Sequence, residues 1–156
     1  PSGDVYVADW RNDRIQRFTA EGDFVATYGG SGDGEGEFNR PASVAVDTDG
    51  YMYVADWGND RVQALDADGR FLMTLRGEST LSPWAQEFLD ASPSESAARL
   101  KSNLDNMSNI RGEDSHSVSS HVEKYFWCPI SVKLDGAGRV YVTDRNRHRV
   151  QVYKRA

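Results

Sequence analysis

GYMYVADWGNDRVQALDADGRFLMTLRG, residues 50–77, repeats the pattern of GDVYVADWRNDRIQRFTAEGDFVATYGG, residues 3–30. The two copies start 47 residues apart, and a shorter third copy, GRVYVTDRNRHRVQVYKRA, starts at Gly138. A repeat period between about 20 and 50 residues is typical of solenoids, propellers and other arrays. The repetition therefore predicts an array of similar units, in which a residue present in every copy serves the unit itself.

Each unit is expected to contain four short β-strands. In the second copy, Tyr51–Ala55 is rich in aromatic and β-branched residues and follows the turn signal Asp49-Gly50. Further strands are predicted at Ala42–Val46, Arg61–Leu65 and Arg70–Leu75. Both faces of Tyr51–Ala55 are apolar, which favours a sheet covered on both sides, as in stacked propeller blades. The predicted fold class is all-β, built from four-stranded antiparallel β-propeller blades with a small α-helical insertion.

Several spaced motifs of the second and third units resemble the NHL-repeat family. The second unit has Phe38–Pro41, Val44–Asp47, Tyr53–Asp56 and Asn59–Gln63, and the third has Phe126–Pro129, Val132–Asp135, Tyr141–Asp144 and Asn146–Gln151. The resemblance implies a propeller, which has six blades in most characterised members. Similar propellers include lyases and lactone hydrolases with a metal at the central axis, and RNA binding is known for some NHL domains.

One partial propeller domain is predicted over residues 1–156. Its expected parts are blade 1 at 3–30, blade 2 at 41–77, a helical insertion at 78–125 and blade 3 at 126–156. These parts provide three, four and three strands, whereas a propeller usually closes with at least four blades. Either further blades complete the ring, or copies of the chain associate. A chain that is stable alone is therefore predicted to be a homo-oligomer, a dimer or higher.

An Asp-Asn-Arg trio recurs in the polar turn of every copy. Asp and Asn side chains satisfy backbone groups of turns, and the planar guanidinium of Arg can pair with a carboxylate across the turn. Because the trio occurs in all three copies, a structural role is predicted for it. The trios are Asp9, Asn12 and Arg14; Asp56, Asn59 and Arg61; and Asp144, Asn146 and Arg149.

The insertion does not repeat, and it is therefore the expected carrier of specificity. Ser82-Pro83 predicts the start of one helix, and Ser92-Pro93 followed by Glu95 predicts a capping box at the start of a second. Apolar residues of the first helix, Trp84, Phe88 and Leu89, are expected to meet a stripe on the second, Ala97, Leu100, Leu104 and Met107. Residues 109–120 predict an irregular loop. The insertion is either a docking element over one end of the propeller axis or a cover for blade surface.

Aromatic and basic residues of the turns and the insertion are the candidates for binding. Trp10 and Trp57 occupy the same place in two turns, with Arg145 in the third. Trp and Arg are enriched in binding hot spots, but packing of the two indoles against neighbouring blades is the favoured interpretation. The candidate binding residues are Trp10, Trp57, Trp84, Phe88, Arg145 and His148.

His116, His121 and Glu123 form the one metal-like grouping in the sequence. Their spacings of five and two residues differ from common zinc motifs, such as two histidines at i and i+4 of a helix, so they are candidate ligands only and no cofactor is predicted. Cys128 is the single cysteine. It is predicted to be a buried small hydrophobe, because the sequence around it offers no histidine to activate the thiol.

The predicted function is non-enzymatic binding of a protein or peptide through inter-blade loops and the helical insertion. The alternative is a fragment of a propeller enzyme of lyase or lactone hydrolase type, for which the resemblance implies an axial Ca or Zn ion. RNA binding is the weaker alternative, because a net charge of −6 argues against a phosphate-binding surface. No membrane is expected as a partner, since no apolar run approaches the roughly 18 residues of a membrane span.

Overall fold

The computed structural model describes residues 3–77, 81–102 and 115–154. Within them, strands form three antiparallel sheets. The strands are β1 (Val5–Asp9), β2 (Arg14–Phe18), β3 (Phe24–Tyr28), β4 (Pro41–Val46), β5 (Met52–Asp56), β6 (Arg61–Leu65), β7 (Phe71–Leu75), β8 (Pro129–Leu134), β9 (Arg139–Asp144) and β10 (Arg149–Lys154). The helices are α1 (Pro83–Ala91), α2 (Pro93–Lys101) and α3 (Ser115–His121), and a 3₁₀ turn spans Trp57–Asn59.

The second sheet is a complete blade. Its strands run β4–β5–β6–β7 in chain order, and each is antiparallel to the next. The first sheet, β1–β2–β3, corresponds to the last three strands of that order, and the third sheet, β8–β9–β10, corresponds to the first three. The predicted strand numbers of three, four and three are therefore confirmed for the described residues, as is the all-β, blade-based fold class.

The sheets share their irregularities as well as their strand order. The register shifts at Arg17/Phe18 between β2 and β3, and again at Ala64/Leu65 between β6 and β7. A second pair of shifts lies at Pro41/Ser43 and Pro129/Ser131, where β4 and β8 begin. Because a bulge increases the local twist of a strand, irregularities at equivalent positions give the blades one common twisted shape.

The hydrophobic core lies between the sheets. Met52 and Val54 of β5 point into a cluster shared with the first sheet, and Tyr53 and Ala55 point into a cluster shared with the third. Successive side chains of a strand point to opposite faces, so both faces of β5 are covered, as its apolar pattern predicted. The buried partners include Ile15, Tyr28 and Phe38 on one side and Phe126, Val132 and Val142 on the other.

The first helix of the insertion starts where the sequence predicted. The Ser82 hydroxyl accepts a hydrogen bond of 3.2 Å from the Ala85 N–H, and Pro83 occupies the first turn. The second helix starts at Pro93, but the Ser92 side chain makes no capping hydrogen bond, so the predicted capping box is wrong. Leu104 and Met107 of the predicted stripe lie outside the described residues.

Two further expectations about the insertion are wrong. Trp84 and Phe88 are 76% and 52% exposed and stack on each other at i and i+4 of α1, with ring centres 6.4 Å apart. Leu100 of α2 is exposed too, so the predicted burial of these side chains against one another is not found. The loop predicted over residues 109–120 contains the helix α3 from Ser115 onward, and residues 109–114 lie outside the described part. The segment becomes helical where it contacts the 3₁₀ turn at Trp57–Asn59, since tertiary contacts override weak local propensity.

The insertion leaves and re-enters the blades at one point. The Phe126 N–H donates to the Arg76 carbonyl at 2.8 Å, and a Cβ on Gly77, whose φ is +93°, would lie 2.6 Å from the Phe126 nitrogen. Only glycine fits so close an approach in this conformation. We term residues 29–40, between blades 1 and 2, the first junction, and residues 76–128, between blades 2 and 3, the second junction. No helix among the described residues is long and apolar enough to cross a membrane.

Candidate functional site

One end of the sheets collects the residues that the sequence singled out. The three polar turns lie there, because each follows the strand end at Asp9, Asp56 or Asp144. Both junctions arrive at the same end, since Pro41 pairs with Asp56 and Pro129 pairs with Asp144. We term it the loop end, and the opposite end, with its Asp-x-x-Gly turns, the turn end. The insertion and the two tryptophan-bearing turns therefore share the loop end.

Asp56 anchors the first junction to blade 2. Its buried carboxylate accepts hydrogen bonds from Arg61 Nε at 2.7 Å, from Asn59 Nδ2 at 2.9 Å and from the Asn39 N–H at 2.7 Å. Arg61 also donates to backbone carbonyls of the first junction, those of Asp33, Gly34 and Glu37, at 2.6 to 2.9 Å. One buried ion pair therefore holds the glycine-rich segment that leads into the blade.

Blade 3 repeats this arrangement. Asp144 accepts hydrogen bonds from Arg149 Nε at 2.9 Å and from the Trp127 N–H at 2.8 Å. Arg149 donates to the carbonyls of Lys124 and Tyr125, at the end of the second junction. In both blades the ion pair fixes the chain just before the first strand of the blade, β4 or β8.

The pair in blade 1 and the asparagine in blade 3 depart from the pattern. Asp9 pairs with Arg14 at 2.9 Å, but the Arg14 side chain is 38% exposed, compared with 6% for Arg61. Asn12 donates to Asp9, whereas Asn146 donates to the Cys128 sulfur at 3.2 Å. The trio thus contacts the scaffold in each blade, and its burial depends on which chain segment lies against it.

A further aspartate in the first two turns contacts the next blade. Asp13 accepts a hydrogen bond from the Arg40 N–H at 2.7 Å, and Asp60 accepts one from the Cys128 N–H at 2.6 Å. Both aspartates adopt a left-handed backbone with φ near +50°, a conformation that Asp tolerates better than most residues. His148 occupies the same place in the third turn, with a φ of 52° and an exposed side chain.

Trp10, Arg40 and Trp57 form a row on the loop end. The Arg40 guanidinium carbon lies 6.0 Å from the Trp10 ring centre and 5.8 Å from the Trp57 ring centre, within reach of cation–π attraction. The Arg11 guanidinium also lies over the Trp10 ring, 5.5 Å from its centre. Trp10 is 46% exposed. The two indoles are therefore joined through Arg40 across the first junction, and Trp10 stays open to solvent.

A groove of about 710 Å³ adjoins this row. It forms because α3 lies over the 3₁₀ turn of blade 2, opposite the first junction. Its walls include Ser31, Asp33, Asn59, Arg76, His116 and Val118. Its volume falls within the range of about 300 to 1,000 Å³ that is usual for ligand sites.

The predicted metal grouping is not assembled. His116 Nδ1 lies 2.8 Å from Asp60, His121 Nδ1 lies 2.8 Å from the Ser117 carbonyl, and Glu123 pairs with Arg99 at 2.9 Å. Residues five apart on an α-helix are about 140° apart around its axis. His116 and His121 of α3 therefore point in different directions.

Cys128 is buried, as predicted, but it has an unpredicted histidine neighbour. The donor atoms of Asp60, His116 and Cys128 all lie within 4.8 Å of one another. Burial raises the pKa of the Cys128 thiol, and the nearby Asp60 carboxylate raises it further. Burial also raises the pKa of Asp60, which the Cys128 N–H and His116 lower in part. A separation of twelve residues through the insertion hides the histidine from sequence reasoning.

The third turn contributes one predicted and one missed residue. Arg145 is exposed at the loop end. Arg147, which the sequence analysis did not single out, lies over the Trp127 ring at 5.3 Å and donates to carbonyls near the end of α3, those of Ser119, Ser120 and Val122. The only available signal was the first arginine in the Asn-Arg-His-Arg run of residues 146–149. Trp84 and Phe88 remain apart from these residues on α1.

Comparisons with known proteins bear on the family. A comparison with curated proteins finds no match. Among solved structures, a streptogramin B lyase structure is similar at 12% identity and a TM-score of 0.46. The match covers 97% of this chain and 37% of the lyase chain, so this chain spans little more than a third of that protein. The NHL repeat model matches residues 38–65 and 126–153. These are the segments that carried the resemblance in the sequence, and the chain therefore contains NHL repeats in its second and third β-propeller blades.

Proposed function

We propose that this chain is a non-enzymatic binding module that docks a protein or peptide on its loop end. The observation that carries the proposal is the groove between the first junction and α3, next to the row of Trp10, Arg40 and Trp57. Exposed Trp and Arg are the residue types that dominate binding hot spots. The groove has room for an extended peptide segment.

The insertion supports the same proposal, because it adds one wall to the groove and a second, separate exposed surface. Its helix α3 forms one wall of the groove through His116 and Val118. Its helix α1 presents Trp84 and Phe88 as a stacked, solvent-exposed pair. Large exposed aromatic side chains offer apolar area that a partner can bury. The propeller-enzyme and RNA-binding alternatives remain predictions from the sequence.

The first test concerns the row on the blades. Peptides selected from a displayed random library against the chain are measured for binding to the wild type and to Trp10→Ala. We expect about a tenfold or greater loss of affinity, the effect of a hot-spot side chain. Phe24→Ala is the matched control, because Phe24 is an aromatic residue on β3 with 59% exposure, away from the loop end. Equal losses in both variants would contradict the proposed surface.

The second test concerns the insertion. Residues 78–124 are replaced by the shorter loop Ser31–Gly36, because the two junctions close in similar ways at Phe38 and Phe126. We expect the blades to keep their far-ultraviolet circular dichroism and the selected peptides to lose binding. A folded variant that binds the peptides as tightly as the wild type removes the insertion from the site. Failure to select any binding peptide would overturn the proposed function.

A further inference from the structure

Asp60, His116 and Cys128 bring three metal-ligating side chains together at the second junction. Asp60 Oδ2 lies 2.8 Å from His116 Nδ1, and the donor atoms of all three residues lie within 4.8 Å of one another. They come from the turn of blade 2, from α3 and from the residue before β8. We propose that this cluster is a Zn²⁺ site that fastens the insertion to blades 2 and 3.

The first junction has the equivalent contact between blades, with a carboxylate but with neither an imidazole nor a thiol. Asp13 takes the place of Asp60 there, and its second oxygen accepts a hydrogen bond from the Ser31 hydroxyl at 2.8 Å. The backbone N–H that Asp13 binds belongs to Arg40, where the second junction has Cys128. Contact between neighbouring blades therefore requires neither an imidazole nor a thiol. The contact between blades therefore does not explain why the second junction has an imidazole and a thiol.

The donor set fits Zn²⁺. Thiolate, imidazole and carboxylate are its common ligands, at about 2.0 to 2.3 Å, which places tetrahedral donors roughly 3.5 Å apart. From its 4.8 Å limit the widest pair of donors needs to contract by about 1.3 Å, and the Asp60–His116 pair, now 2.8 Å apart, needs to widen by about 0.7 Å. The His116 side chain is 53% exposed, so it has room to make that movement. His116 and Cys128 also line a cavity of about 330 Å³ beside Arg40 and Trp57, which has room for water as a fourth ligand.

The surroundings of the sulfur support its role as a ligand. Asn146 Nδ2 donates a hydrogen bond to Cys128 Sγ at 3.2 Å. Such outer donors orient a metal ligand and tune its charge. On binding, the thiol proton passes to solvent, and the proton shared between His116 Nδ1 and Asp60 leaves Nδ1 as the neutral imidazole takes its Nε2–H form, so that Nδ1 and the carboxylate each bond the cation. A thiolate and a carboxylate together neutralise the two charges of Zn²⁺.

Cobalt substitution tests the site through its sulfur ligand. The purified, chelator-treated chain is titrated with Co²⁺, and the near-ultraviolet charge-transfer band of a thiolate–Co²⁺ bond is followed. Cys128 is the single cysteine of the sequence, so the band reports this site alone. We expect one equivalent to saturate the band, Zn²⁺ to displace Co²⁺, and Cys128→Ser to abolish the band. Cys128→Arg, which installs the residue of the first junction, is a second variant in case the serine form is unstable.

Competition with a chromophoric chelator measures the Zn²⁺ affinity of the remaining variants. We expect His116→Gln and Asp60→Asn to weaken it about tenfold or more. His121→Gln is the matched control, because His121 is on the same helix and its Nδ1 hydrogen-bonds to Ser117 and Ser120 of that helix. Absence of the thiolate band in the wild type overturns the proposal. Affinity that survives in His116→Gln but falls in His121→Gln overturns it as well.

Discussion

The two junctions are held by the same set of backbone contacts, which we term the frame, and they differ in the side chains that lie on it. Each is held by an aspartate of the preceding blade and by an Asp–Arg pair of the following blade. The first junction is a short glycine-rich loop that ends in Arg40. The second carries the insertion and ends in Cys128. At the first, the frame supports a row of indoles and guanidinium groups; at the second, it gathers an imidazole, a carboxylate and a thiol.

This comparison separates contacts that build the propeller from residues that give it chemistry. The repeated aspartates bind backbone N–H groups at both junctions, and every residue except proline has such a group. The side chains that sit on those backbone positions are free to differ. Function in a repeat protein is therefore sought where equivalent backbone positions carry different side chains.

The largest expected effect is on the frame itself. Asp56→Ala leaves Arg61 charged and buried without its carboxylate, which we expect to lower the free energy of unfolding by about 3 to 5 kcal/mol. Asp9→Ala is the matched change in blade 1, where the pair is more exposed, and we expect a much smaller loss. Urea unfolding measures both. Similar losses in the two variants would show that burial does not set the strength of the pair.

A smaller effect is expected where each turn contacts the next blade. Asp60→Ala leaves the buried Cys128 N–H without its acceptor, and we expect a loss of about 1 to 3 kcal/mol in chelator-containing buffer. Asp13→Ala should cost less, because water can reach the exposed Arg40 N–H. Asp60→Asn keeps an acceptor and tolerates the left-handed backbone, so it controls for strain. A larger loss in Asp13→Ala would reverse the ranking of the junctions.

The smallest expected effect is a difference between the two ends of the sheets in how stability depends on pH. At the turn end, the Arg139 N–H and guanidinium help to lower the pKa of Asp135 to about 2, so its contribution to stability is present above about 3.8 and is lost as pH falls toward 2. At the loop end, burial raises the pKa of Asp60, so the protonated form is favoured by folding and stability falls as pH rises through that pKa. Carboxyl carbon shifts in an NMR titration measure both groups. Titration of Asp60 below Asp135 would contradict these signs.

The sequence predicted the repeated polar turns of the frame but not the clusters of side chains that lie beside them. The Asp-Asn-Arg trio was identified from its recurrence. Asp60 lies in the same turn, but it was overlooked because the backbone N–H that donates to it belongs to the next blade. His116 was considered a metal ligand with the wrong partners, since neighbours in sequence were weighed and the partners are 56 and 12 residues away. The row through Arg40 was missed for the same reason.

The sequence by itself determined the blades. Strand length, turn residues and two-sided apolarity are local properties that repeat along the chain, so the sheets and their order follow from pattern alone. Only the tertiary structure decided which side chains meet at the loop end. The packing of one blade on the next places Arg40 between Trp10 and Trp57, and the contact of α3 with blade 2 places His116 beside Asp60 and Cys128. Such contacts depend on how segments that are distant in sequence pack together, and the repeat pattern of the sequence does not predict them.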